Sequence, residues 1–191
     1  MPVTVSMEEL SKDSQAGRDQ VGTVLRLYEE WIADREAEIP TLPTRFRLAA
    51  ERHMQHCRKA LTRMQTGWAQ VNSNPVAQRA FQLANEAMLY QQVRSRLPLR
   101  SVERGQDNVL RPVEPHPEAT IKPGDGNWRP FQIAFILACL PELVVPTQKE
   151  RPLVDLIFFP TGGGKTEAYL GASAISLLAR RLRDPGICQG G

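Results

Sequence analysis

Between Val21 and Arg96 the apolar positions recur at spacings of three and four, the period of amphipathic helices packed on one another. Val21, Val24, Leu25, Tyr28, Trp31 and Ile32 form a first stripe, which ends near EIPTLP where Pro40 and Pro43 interrupt a helix. A second stripe, Phe46, Ala50, Met54, Cys57, Leu61, Met64, Trp68 and Val71, alternates steps of four and three, as a packing seam does. NSNPVAQ then offers Asn74 as an N-cap and Pro75 at the first helical position. Ala77, Phe81, Ala84, Met88 and Val93 carry the third stripe. Three helices joined by short proline-bearing turns predict a small bundle over 16–96, preceded by a flexible N-terminus over 1–15.

The pattern changes at 97–127, where Pro98, Pro112, Pro115, Pro117, Pro123, Gly124 and Gly126 punctuate a polar stretch without a period and predict a Pro/Gly-rich linker. Beyond it, WRPFQIAFILACLPEL predicts a helix from Pro130, and LVDLIFF has the length and character of a strand. A glycine loop follows, then TEAYLGASAISLLARRLR. That segment has Tyr169, Ala172, Leu177 and Ala179 among its apolar positions, and Arg180, Arg181 and Arg183 suit the negative end of a helix. The expected fold class is therefore α/β overall: a helical N-terminal bundle, then over 128–191 the opening of a phosphate-binding domain with one strand, a loop and a helix. Its sheet is incomplete, because no partner strand is in sight for LVDLIFF.

Composition narrows the setting. No apolar run approaches the roughly 20 residues that cross a bilayer. The N-terminus lacks the basic-then-apolar order of a signal peptide, which predicts a cytoplasmic protein with no membrane partner. Cys57, Cys139 and Cys188 have no paired spacing, which predicts reduced thiols. Net charge is +3, unevenly spread: residues 1–40 carry 4 basic and 9 acidic side chains, residues 41–111 carry 12 and 4. The basic middle segment suits a phosphate backbone or a solvated helix face. His53, His56 and Cys57 lie on adjacent helical turns, but no fourth metal ligand is evident and Cys57 belongs to the apolar stripe.

The chemistry concentrates in FFPTGGGKTEAYLG, residues 158–171. A glycine turn between a strand and a helix lets backbone N–H groups approach phosphate oxygens, and the helix presents its positive end to them. Gly162, Gly163 and Gly164 supply the turn, Lys165 reaches the outer phosphates, and the Thr166 hydroxyl enters the coordination shell of a nucleotide-bound Mg²⁺. The strict phosphate-loop pattern has a leading glycine where this chain has Phe159.

Pro160, Thr161, Gly162, Gly164, Lys165 and Thr166 resemble the first motif of superfamily 2 helicases. WRPFQ upstream is similar to the context in which such helicases carry an adenine-recognising glutamine, here Gln132. Its amide has the donor and acceptor that adenine requires, and Trp128 or Phe131 is the aromatic expected against the ring. WRPFQIAFIL with RPLVDLIFFPTGGGKTEAYLG resembles, more narrowly, the helicase subunit of the DISARM anti-phage defence system over about residues 128–183. The resemblance implies a RecA-like ATP-binding domain in 128–191. It further implies ATP and Mg²⁺ as cofactors, Thr161, Gly162, Gly163, Gly164, Lys165, Thr166 and Gln132 as nucleotide contacts, and DNA and a defence-complex subunit as partners.

ATP hydrolysis in such proteins needs a later acidic pair and an arginine from a second RecA-like domain. After Lys165 the only carboxylates are Glu167, placed to stabilise a helix start, and Asp184, in the turn RDPG. The expectation is thus an N-terminal piece of a longer helicase, cut off by truncation, frameshift or an incomplete gene, that alone binds nucleotide weakly at most and does not hydrolyse it. The rival expectation is a non-enzymatic helical interaction module over 16–96 with a vestigial loop.

Overall fold

The computed structural model describes residues 3–113, 118–145, 154–155, 158, 162–184 and 186. The described chain is largely helical, with two short antiparallel strand pairs. In order it runs β1 (Val5–Ser6), α1 (Met7–Ser11), α2 (Gln15–Glu38), a 3₁₀ turn (Ile39–Thr41), α3 (Thr44–Ser73) and α4 (Pro75–Arg94). It continues through β2 (Val102–Arg104), β3 (Leu110–Pro112), β4 (Asn127–Trp128), α5 (Pro130–Val144) and α6 (Lys165–Arg183).

Local chemistry sets the helix bounds. The Ser14 hydroxyl accepts from the Gly17 N–H at 3.0 Å, so α2 starts earlier than its apolar stripe suggests. Pro40 converts its end to a 3₁₀ turn. Asn74 Oδ1 accepts from the N–H groups of Val76 and Ala77, and Pro75 opens α4. The stripe of α3 is buried in its second half only: Leu61, Met64 and Val71 are covered, whereas Phe46 at the start of the helix is 49% exposed. In α6, Ala172 and Ala179 are buried while Tyr169 and Leu177 are exposed. Small residues let that helix lie close to its neighbours, and the larger side chains face away.

The N-terminus corrects the expectation of flexibility over 1–15. From Val5 it pairs with β4, Val5 opposite Trp128 and Ser6 opposite Asn127, and Val5, Met7 and Leu10 are buried. Three buried apolar residues in a short segment are enough to dock it. The expected linker, 97–127, contains the β2–β3 hairpin, whose strand residues are all exposed, and ends in β4. Of the expected strand 153–159, only Val154, Asp155 and Phe158 are among the described residues, and none of them lies in a strand.

The linker separates helices along the chain without separating them in space. α5 packs on α3, and α6 packs on α4 and α5. A single apolar cluster runs from Val5 through Leu61, Phe81 and Leu137 to Ala179. The tightest approach is at Gly67, where a Cβ would overlap the Leu137 carbonyl and force α3 and α5 apart. Gly22, by contrast, has open space where a Cβ would stand. Gly67→Ala is expected to destabilise the fold by about 3 kcal/mol, because the obstacle is backbone and cannot rotate away. Gly22→Ala is expected to stabilise it by about 0.5 kcal/mol; urea titrations of both variants check the contrast.

Candidate nucleotide site

The glycine loop stands at the N-terminus of α6. Gly162 has φ +81° and Gly164 φ +87°, a left-handed conformation that side chains disfavour. Gly164 is the N-cap, and among the described residues it makes no side-chain cap hydrogen bond. The N–H groups of the first turn have no intrahelical acceptor and point out of the helix end. Space adds a second demand for glycine at 164, since a Cβ there would lie 2.6 Å from Gln132 Nε2. At Gly162 the surroundings are open and the backbone alone requires it.

α5 holds this loop through two side chains. Gln132, 3% exposed, accepts the Arg129 N–H on Oε1 at 2.8 Å and donates from Nε2 to the Gly164 carbonyl at 2.7 Å. Arg129 Nη1 donates to the Gly163 carbonyl at 2.9 Å. The amide expected to recognise adenine is thus bonded to backbone on both atoms, with one N–H and one lone pair left over. Lys165 and Thr166 begin α6, Lys165 half-buried and Thr166 exposed. Thr161 lies outside the described residues.

Among the described residues, neither expected aromatic lines the cavity beside the loop. Trp128 is 2% exposed, donates from Nε1 to Asn85 Oδ1 at 2.7 Å and packs against Gly171, which makes it a core residue joining β4 to α4 and α6. Phe131 faces the other side of α5 and lines an apolar groove of about 540 Å³ with Tyr28, Trp31 and Phe135. The loop instead borders a polar cavity of about 360 Å³. Gln132, Gly162, Gly164 and Glu167 form one wall; Arg129 and Asn127 stand beside them, and Gln91, Gln92, Ser95 and Arg96 from the end of α4 form the other. Glu167 Oε2 is buried there without a partner. The α4 residues and Arg129 escaped sequence reasoning, although Arg129 lies inside the very WRPFQ that singled out Gln132; nothing in the spacing points from α4 to the loop.

The donor set fits a nucleotide phosphate: glycines that only backbone amides can line, an uncapped helix start, and a lysine and a hydroxyl in its first turn. The chain is similar to a DISARM protein. It is 36% identical over 172 residues to the DISARM protein DrmA of Bacillus paralicheniformis. That match covers 89% of this chain and 14% of the relative, so the chain spans about a seventh of the DrmA length. It extends past residues 128–183 into the helical region that sequence motifs could not tie to any family. No protein-family model matches the chain.

A charged cluster anchors the segment that leads into the loop. Arg63 of α3 forms a two-pronged ion pair with Asp155, at 2.6 and 2.8 Å, and approaches Glu142 of α5 at 3.5 Å. The Arg63 hydrogen bonds hold the Asp155 carboxyl below the usual carboxylate range and raise the guanidinium in turn. Burial, with Asp155 alongside, pushes the Cys139 thiol up to about 12, so it is no nucleophile at neutral pH. Because the folded pKa of Asp155 lies below the unfolded value of about 4, the pair contributes above that pH and its contribution is lost as pH falls through the folded value. Asp155→Asn is expected to cost about 1 kcal/mol at pH 7, the scale of a partly exposed pair. The gap to the parent chain should close on acidification below about pH 4, as denaturant unfolding at several pH values would measure.

Proposed function

We propose that the chain is the nucleotide-holding part of an ATP-dependent DNA helicase or translocase of superfamily 2, acting in a DISARM-type anti-phage system. The observation that carries the proposal is the left-handed glycine loop capping α6, held from α5 by Gln132 and Arg129. In this reading Thr161, Gly162, Gly163 and Gly164 surround the phosphates with backbone N–H groups, and Lys165 supplies the cation. Thr166 contributes its hydroxyl to Mg²⁺, which offsets phosphate charge when bound. Gln132 holds the loop and turns its remaining N–H and lone pair to adenine.

Similarity to DrmA supports the defence role, and the RecA-like character of 128–191 is part of the same proposal. Hydrolysis would require, in addition, an acidic pair to hold Mg²⁺ and position water and an arginine to stabilise the transition state. DNA and a defence-complex subunit are the proposed partners. A second reading, the helical interaction module, draws support from the apolar groove, where Trp31 is 44% and Leu27 38% exposed.

Calorimetric titration with MgATP separates the two. Binding is expected to weaken at least tenfold, about 1.4 kcal/mol, in Lys165→Ala, whose change removes the cation and leaves the glycine turn. Binding indifferent to Lys165, or none at all, overturns the nucleotide reading and leaves the interaction module.

A further inference from the structure

The basic excess in the middle of the chain is concentrated on one helix. α3 carries six arginine and lysine side chains and a single carboxylate, Glu51. Arg45, Arg52, His56 and Lys59 follow one another at steps of seven, four and three, which puts them on one line along the helix. All four are exposed, and the line points away from the side on which Leu61 and Met64 are buried. Glu51 is off the line, about 100° around the helix from Arg52. Elsewhere on the surface, cations are balanced within reach: Lys12 pairs with Glu8, Arg26 with Glu30, Arg35 with Glu38, and Arg58 of α3 turns to Glu36. Arg63 continues the line where the chain covers it, and there it meets Asp155 and Glu142. Upstream, Arg45, Arg52 and Lys59 form no ion pair among the described residues. The line takes carboxylates where the fold covers it and has none where it is open.

We infer that this outer face of α3 is a docking surface for the phosphate backbone of a DNA duplex, separate from the nucleotide loop. From Arg45 to Lys59 the line runs about 21 Å, the rise of about six base pairs. Arg45, Arg52 and Lys59 are spaced about 10 Å apart, so each meets its own phosphate and none competes for a neighbour's. A protein partner asks for apolar side chains at the centre of its contact. Beyond Leu48 near the start of α3, the exposed neighbours on this face are Gln55 and Thr62. A single strand asks for a ring on which bases stack. Phe46 is off the line, and the Arg45 guanidinium lies over its ring at 4.6 Å. The inference deepens the DNA partnership of the proposed function, on which it rests, and gives it a place on the helical region.

Fluorescence anisotropy of a labelled, random-sequence duplex with the 191-residue chain, in the absence of nucleotide, tests it. Arg52→Gln with Lys59→Gln is expected to weaken binding at least about tenfold and to flatten the dependence of log affinity on log salt by about two, one for each lost phosphate contact. Arg26→Gln with Arg35→Gln removes the same charge from α2 and is expected to change affinity less than about threefold. All four positions are exposed and glutamine is a good helix former, so the variants keep the fold, which thermal melts verify. No duplex binding by the parent chain, or equal losses in the two double variants, overturns the inference. Displacement by polyglutamate as readily as by unlabelled duplex also overturns it, and marks an acidic protein as the occupant. Calorimetry with MgATP on the parent chain keeps the two readings apart. MgATP binding without duplex binding removes the docking surface alone, and duplex binding without MgATP binding removes the nucleotide reading alone.

Discussion

Where α3 and α5 cross, the Gly67 backbone meets the Leu137 carbonyl, and the geometry around the loop is set from that contact. A side chain at 67 would lift α5 off α3, and α5 carries at its N-terminus both groups that hold the loop, Arg129 and Gln132. The packing is tight because protein interiors have little slack to absorb an extra atom. Displacement of α5 would therefore be felt at Gly163 and Gly164, whose carbonyls are within hydrogen-bond reach only while the helix stays seated. The loop thus depends on a helix crossing at the middle of α5 as well as on its own glycines.

The same economy appears on the opposite face. α6 approaches α4 and α5 through Ala168, Gly171, Ala172 and Ala179, and the ring of Trp128 fills the space that Gly171 leaves. The Trp128 N–H needs a partner once buried, and Asn85 supplies it while its own amide donates to the Phe81 carbonyl. A hydrogen-bonded polar pair thus fixes where β4 enters α5, in the middle of an otherwise apolar core. β1 completes the arrangement by pairing with that strand from the other end of the chain.

Much of the helical layout was legible. The 3.6-residue period located α2, α3 and α4, and Asn74–Pro75 fixed a boundary, because those signals are local and act through the backbone of their own segment. The exposure of Phe46 and Tyr169 was not legible: periodicity says that a helix has an apolar side and is silent on whether anything covers it. The glycine turn before α6 could be read since the positive φ of Gly162 and Gly164 is a residue-level requirement. The aromatics were misjudged for the opposite reason. Trp128 and Phe131 are three apart and flank the same glutamine in sequence, yet one closes the core and the other lines a groove, a division made by α4, α6 and α2 from elsewhere in the chain.

The shared core makes the helical region and the loop region a single inherited unit. Ile133, Leu137 and Leu140 of α5 are covered by a cluster to which Leu61, Met64 and Phe81 belong, and Arg63 reaches across to Asp155 beside the loop. Recombination within 97–127 would join two surfaces that had not been shaped together, however permissive that stretch looks in sequence. Change on either side must be matched on the other, so these two stretches of chain are bound to evolve in step.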